Sequence, residues 1–208
     1  MKRIRWKANQ VISIETRRRD ESRVENVYAL AQMIGVAGLL VFNVFNTNNR
    51  WENIELKHAP ILFYTTVARQ FISNSNVFVQ DINPLESYLP PVRQIDILEM
   101  DGAGAGYRKV VLWEGTANER EVLVMGAGGG RLIEGHIGNC KVIIPVISEK
   151  DDNTIDKYEL TNVRIYAELN ERLFLCYKFG KNVDPLKDLT FNRHIPIEYK
   201  EYMNIIMS

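Results

Sequence analysis

The stretches QVISI (residues 10–14), NVYALAQMI (26–34) and GLLVFNVF (38–45) decide the fold. β-Branched and aromatic residues dominate these apolar runs, and such residues fit the pleated, half-buried surface of a sheet. Gly35, Gly38 and an Asn-rich loop interrupt the runs, as turn residues do between consecutive strands. The first third of the chain is therefore predicted to form neighbouring β-strands.

The composition is that of an ordinary globular protein. Of the 208 residues, 46% are hydrophobic and 25% charged, and the formal net charge is zero, so the whole molecule has no bias toward nucleic acid or membrane. The charge is unevenly spread, because the N-terminus is basic and acid gathers between residues 149 and 171. The arginine run at 17–19 suits either a solvated turn or a contact with a phosphate or an acidic partner.

Further strands are predicted along the rest of the chain, and helices are few. The last segment, 196–206, begins with proline and places its apolar residues on one side, which predicts a helix. The fold class is therefore α+β and mostly β, with antiparallel twisted sheets and a C-terminal helix packed on a sheet. The predicted later strands are residues 59–72, 77–79, 92–100, 109–113, 120–125, 141–147, 158–167 and 172–179, the last two joined by a hairpin turn at 168–171.

The glycine-rich connection at 102–106 is the best candidate for a domain boundary. It divides the chain into a β-rich N-terminal lobe, residues 1–100, and a β-rich C-terminal lobe with the terminal helix, residues 101–208. One continuous domain is the alternative.

The two cysteines, Cys140 and Cys176, each lie in an apolar strand-like run. They are predicted to be buried free thiols in a reducing compartment. There is no CxxC or HxxxH spacing and no Gly-x-Ser-x-Gly elbow. His136 lies four residues before Cys140, a spacing that suits a metal pair on a helix, but Gly135 and Gly138 disfavour a helix there. The sequence therefore predicts no metal site, no cofactor and no catalytic residue, and a protein that is not an enzyme.

One glycine-rich loop is an alternative ligand site. Gly126, Gly128, Gly129 and Gly130 follow a predicted strand, as the phosphate-binding glycines of a dinucleotide fold do. However, Arg131 stands where the third glycine of that fingerprint belongs. The segment after the loop also fits a strand in a meander better than a packing helix, because it is short and contains two more glycines.

The first ninety residues resemble the immunity protein 26 family of bacterial polymorphic-toxin systems. The resemblance is carried by an entering strand, WKANQVISI (6–14), and a strand with an aromatic and a small residue, YALAQMIG (28–35). A Phe-containing strand, ILFYTTV (61–67), and a short strand, VFVQ (77–80), before the Pro84–Leu85 loop complete it.

The resemblance implies a non-enzymatic immunity protein of a contact-dependent growth inhibition system. It would bind a cognate protein toxin, such as a nuclease, and occlude its active site by protein–protein interaction. Since nuclease toxins are commonly basic, acidic residues are the expected contacts. The candidates are Asp96, Glu99, Asp101, Glu149, Asp151, Asp152, Asp156 and Glu159.

Two other functions remain open from the sequence. One is a nucleotide- or small-ligand-binding protein that uses the loop 126–130, and the other is a structural or assembly protein. The N-terminus lacks the apolar core of a signal peptide, and charged or polar residues interrupt every apolar run, so the expected location is the cytoplasm, with no membrane or direct nucleic-acid contact.

Overall fold

A computed structural model describes residues 4–17, 26–86, 93–97, 106–126, 128–136 and 139–208. By its contacts the chain divides into two compact units. The first consists of Met1–Pro90 and Val163–Val183, and the second of Pro91–Asn162 and Asp184–Ser208. The sequence-based boundary lies largely outside the described residues, and the division of the chain at residue 100 stays a prediction.

Strands predominate over helices among the described residues. The strands are β1 (Val11–Glu15), β2 (Tyr28–Ile34), β3 (Gly38–Asn46), β4 (Ile61–Val67), β5 (Val77–Val79), β6 (Arg93–Ile97), β7 (Tyr107–Leu112), β8 (Arg120–Met125), β9 (Gly130–His136), β10 (Asn139–Ile147) and β11 (Val163–Arg164). The helices are α1 (Phe71–Asn74), α2 (Asp152–Lys157), α3 (Glu168–Phe179), α4 (Pro185–Thr190) and α5 (Lys200–Ile206), with 3₁₀ turns at Leu56–His58 and Ile197–Tyr199.

The first unit is built on a six-stranded sheet of order β11-β4-β3-β2-β1-β5. Its neighbours pair antiparallel except β11 and β4, which run parallel. All of β1 and all but the last residue of β2 are buried, so both faces of the central strands are covered. This explains why the opening runs are continuously apolar and not alternating.

Helix α3 packs within the first unit, and here the predicted hairpin of 158–179 is wrong. Leu169, Leu173 and Cys176 follow the helical spacing and are fully buried, and Gly180 ends the helix in the left-handed conformation at φ 65°. The aromatic and apolar content of residues 173–177 imitated a strand, whereas Leu, Glu and Arg are good helix formers that tertiary packing can select.

The arginine run at 17–19 has one described member, and its role differs from both expectations. Arg17 forms an ion pair of 2.9 Å with Glu171 of α3, whose side chain is 1% exposed. The Arg17 guanidinium also lies 3.5 Å from the centre of the Phe174 ring. Arg17 therefore compensates a buried carboxylate of its own unit.

The second unit contains a three-stranded antiparallel sheet of order β10-β9-β6 and the separate β7-β8 hairpin. The predicted meander strand after the glycine loop is confirmed as β9. A core cluster joins β6, β9 and β10 to α2 and the chain after α4. Its buried members are Ile95, Leu132, Ile147, Ile155, Leu160 and Phe191.

The C-terminal helix is confirmed at α5, with Tyr202 and Met203 fully buried. Polar contacts tie its region to the β7-β8 turn, because Arg120 donates to Asn204 at 3.0 Å and Lys200 donates to Asn118 at 2.6 Å. The architecture is thus α+β and mostly β, as predicted. Among the described residues, no helix is both long enough and apolar enough to cross a membrane.

The two thiols are both free, but only one is buried. Cys176 is enclosed in α3, whereas Cys140 is exposed on β10. The expectation of burial was wrong for Cys140 because β10 is an edge strand of its sheet.

Candidate functional site: an acid-rimmed groove

A groove of about 660 Å³ opens in the second unit. One wall is the end of β7 with its following turn, residues 111–114 and 116, and the other is the chain at 192–198. We call this site the β7 groove. Its volume lies in the range of ordinary ligand sites, and its two walls come from segments that the sequence keeps far apart.

Trp113 sits at the end of β7 with φ 53°, an unusual conformation for a bulky residue. The turn fixes it there, because the backbone amide and the hydroxyl of Thr116 both donate to the Trp113 carbonyl, at 3.1 and 2.7 Å. The Arg120 guanidinium lies 5.2 Å from the ring centre. The indole Nε1 is buried and has no hydrogen-bond partner among the described residues.

Arg193 lies in the other wall and gathers three carboxylates. It donates to Asp156 at 2.6 Å, to Asp152, and to Asp188 at 3.4 Å. The Arg193 side chain is 19% exposed, whereas those of Asp152 and Asp156 are 70% and 69% exposed. One largely buried cation therefore holds two outward-facing carboxylates side by side.

Asp188 is the least exposed of the three carboxylates. Burial raises the pKa of Asp188, and the charge of Asp184 adds to this effect. The Arg193 guanidinium and the Tyr199 hydroxyl, which donates to Asp188 at 3.3 Å, oppose it. The net result is a carboxyl group that takes up a proton more readily than an exposed aspartate.

Helices α2 and α4 are held together beneath this cluster by Lys187. Its buried ammonium donates to the carbonyls of Ile155 and Tyr158, at 3.0 and 2.8 Å. Asp151 caps α2 by accepting a hydrogen bond from the Thr154 amide at 3.1 Å, and this bonding lowers the pKa of Asp151. These contacts place Asp152 and Asp156 within reach of Arg193.

The predicted contact acids are only partly brought together. Asp152 and Asp156 meet at Arg193, whereas Asp151 serves as the helix cap described above. Asp96 is paired with Arg131 at 2.8 Å and is also bonded by Thr161, and Glu159 is 9% exposed. Glu149 is exposed, beside the glycine loop, and Glu99 and Asp101 lie outside the described residues.

The sequence did not point to most of the groove, including Trp113 and Arg193, or to Asp188, which is paired with Arg193. Glu114 and Glu198, both exposed on the walls, were missed as well. Pro185 directly after Asp184 was an available signal for the start of α4. No sequence pattern places α4 against α2.

The glycine loop is closely packed by its own unit. The Gly126 amide donates to the Gly106 carbonyl at 2.5 Å, and Gly128 has φ 80°. A Cβ on Gly128 would lie 3.1 Å from Glu149 Oε1 and 3.3 Å from Arg108 Nε. A strand, β9, begins at Gly130, so the loop does not open a helix N-terminus.

Arg108 fills the space beside that loop. Its guanidinium donates to the carbonyls of Leu189 and Thr190, at 2.5 and 3.0 Å. Burial lowers the pKa of Arg108, and the charge of Glu149 opposes this. Small-ligand binding at residues 126–130 stays a prediction, and a ligand there would meet Arg108 and Glu149 first.

Another, smaller cavity of about 310 Å³ lies in the first unit, lined by residues 54–57 and 83–85. The Gln32 side chain holds one wall, since it donates to the Leu85 carbonyl at 3.0 Å and accepts from the Leu85 amide at 2.8 Å. In the part of the chain that the structure describes, no three His, Cys, Asp or Glu side chains are grouped to hold a metal ion.

The fold and groove define a mostly β, α+β protein of two units with an acidic surface site in the second. The chain belongs to the family described as Domain of unknown function (DUF8309), whose model matches residues 1–194. The match takes in both strands of the β7-β8 hairpin as well as Arg193. No curated protein and no solved structure matches the chain.

Proposed function

We propose that this protein is an immunity protein, which binds a cognate bacterial toxin in the cytoplasm and neutralises it by covering its active site. The observation that carries the proposal is the pair of exposed carboxylates, Asp152 and Asp156, held by Arg193 beside the β7 groove. The resemblance of the first ninety residues to the immunity protein 26 family supports the same function.

The physical reason is preorganisation. A carboxylate already fixed by a guanidinium loses little side-chain freedom when it meets a basic partner. Such charges steer the encounter and fix its orientation, while the bulk of the interface excludes substrate from the toxin. A basic toxin, such as a nuclease, has the surface charge that this site complements.

Co-purification with the product of the neighbouring gene tests the function. We expect a one-to-one complex of nanomolar affinity, about −12 kcal/mol, and rescue of cells that express that product. Absence of both a complex and rescue would refute the immunity function.

A charge-matched pair of variants tests the surface. Asp152→Asn/Asp156→Asn is expected to weaken the complex by about tenfold or more, chiefly at low salt. The control, Glu52→Gln/Asp81→Asn, removes two exposed acids from the first unit and should leave the affinity within about twofold. Equal effects of the two double variants would assign the contact to another surface.

A further inference from the structure

The open edge of β7 is the most informative feature of the groove. In the described residues β7 pairs with β8 alone, from Tyr107↔Met125 to Leu112↔Arg120, without a register shift. The groove is lined by the end of β7 and by no residue of β8. Val111 and Leu112, the last two residues of β7, therefore lie at the groove, and the earlier residues of β7 lead up to it.

The pairing register of β7 and β8 shows which backbone groups of β7 point away from β8. The Gly126 amide bonds to the Gly106 carbonyl, so Gly106 and Gly126 are a hydrogen-bonded pair of the antiparallel ladder. Such pairs alternate with pairs whose amides and carbonyls point outward. The alternation leaves the amide and carbonyl of Tyr107, Lys109 and Val111 on the open edge. None of these groups has a hydrogen-bond partner among the described residues.

The edge lacks most of the devices that keep strands from pairing. Proteins commonly protect an edge with a proline, a bulge or a charged side chain, lysine above all. β7 contains no proline and no bulge, and its exposed Lys109 is paired with Glu121 at 2.8 Å. An extended segment can therefore dock here by strand addition, with the chain at 192–198 as the second wall.

The charge of the groove indicates which side chains the docked segment should carry. Glu114 and Glu198 are exposed on its walls and form no ion pair within the described part of the chain. Beside them Arg193 stands against three aspartates. Two other cations lie nearby, Arg120 over the Trp113 ring of the groove wall and Lys200 bonded to Asn118, so five carboxylates face three cations. The excess of carboxylate favours Lys or Arg side chains.

We propose that the β7 groove binds an extended, basic segment of a partner polypeptide as an additional antiparallel or parallel strand on β7. The inference rests on the proposed function only for the source of that segment, the toxin. Main-chain bonds to Lys109 and Val111 would supply the pairing, and alternate basic side chains would meet the carboxylates of the rim.

A synthetic peptide tests this independently of any toxin. The probe is an end-capped octapeptide of alternating Lys and Val, titrated into the full-length protein and followed by amide NMR shifts and hydrogen exchange. We expect slower exchange at Val111 and Lys109, and a dissociation constant between about 0.1 and 1 mM. The Glu-Val counterpart, and a Lys-Val peptide N-methylated at every valine, should each bind about tenfold more weakly.

Matched proline variants locate the edge. Val111→Pro removes an outward amide of β7, whereas Leu123→Pro does the same on the outer edge of β8, since Leu123 is opposite Lys109. The first should weaken peptide binding about tenfold and the second by less than about twofold. If Val111→Pro fails to fold, the N-methylated peptide still decides the matter.

The proposal is overturned if the Lys-Val peptide does not bind, if N-methylation leaves its affinity unchanged, or if the Glu-Val peptide binds equally well. Peptide binding without any toxin complex would uphold strand addition and end the immunity function. A toxin complex whose affinity is unaffected by excess peptide would uphold the function and overturn the proposed role of this edge.

Discussion

The Arg193 guanidinium donates a 2.6 Å hydrogen bond to the Asp156 carboxylate, across 37 residues of sequence. The bond joins α2 to the chain that follows α4, and it does so at the groove wall. Because one Arg193 guanidinium faces three aspartates, the cluster keeps an excess of negative charge, and its exposed members are Asp152 and Asp156. This contact makes Asp152 and Asp156 of α2 a candidate recognition site.

Removal of that cation should destabilise the second unit. Arg193→Met leaves three carboxylates close together, of which Asp188 is largely buried, and we expect the free energy of unfolding to fall by about 1–3 kcal/mol. Urea titration of the wild type and the variant measures this loss of unfolding free energy. As a control, Arg93→Met breaks an exposed pair with Glu134 and should lower stability by less than about 1 kcal/mol. Equal losses would mean that Arg193 acts only as a surface ion-pair partner.

The raised pKa of Asp188 predicts a defined pH dependence. The folded state holds the proton more tightly than the unfolded state, whose pKa is near 3.8, so stability from this group rises as pH falls from the raised pKa toward 3.8. Above the raised pKa the full penalty of burying the charge is present. The unfolding free energy of the wild type minus that of Asp188→Asn should therefore increase as pH falls through this window. A difference that is flat, or that decreases, would contradict the burial effect.

Gly130 is predicted to be essential for packing. A Cβ there would lie 2.6 Å from Ile95 Cγ2 and 3.1 Å from both the Asp96 carbonyl and Phe191 Cζ. Ile95 and Phe191 are buried and have no free space to move into. Gly130→Ala should therefore lower the unfolding free energy by about 1–3 kcal/mol or more.

The matched variant for that experiment is Gly115→Ala. Gly115 has φ 73° and nothing within 4 Å of the position that a Cβ would take, so its substitution adds backbone strain of about 1 kcal/mol without a clash. Thermal or denaturant unfolding compares the two. A Gly130→Ala protein as stable as the Gly115→Ala protein would show that the contact to Ile95 relaxes freely.

The two cysteines should differ sharply in reactivity. Cys140 is exposed on an edge strand and Cys176 is fully buried in α3, so a thiol reagent should modify one group in the native protein and the second only on unfolding. Ellman's reagent, with and without guanidinium chloride, counts them. Cys140→Ser should abolish the native-state reaction, and a persistent signal in that variant would place Cys176 within reach of solvent.

Local sequence patterns predicted the strands well because their physical cause is local. The apolar runs that became β1, β2 and β3 are long enough to be buried, and Pro196 precedes the 3₁₀ turn Ile197–Tyr199 that leads into α5. The same local patterns gave the wrong prediction for the segment that forms α3. Its apolar residues satisfy both a strand and a helix, and contacts with β1 and β4 decide between them, through Asn170 to Glu15 and Arg172 over Phe63.

The sequence by itself determined a mostly β, α+β chain, its glycine-marked turns and its supply of acidic residues. Only the tertiary structure decided which acids act together. Asp152 and Asp156 meet Asp188 because Lys187 and Arg193 bridge α2 and the α4 region, whereas Asp96 is paired with Arg131 and Glu159 is buried. Such long-range pairings depend on how elements pack and leave no periodic trace in the chain.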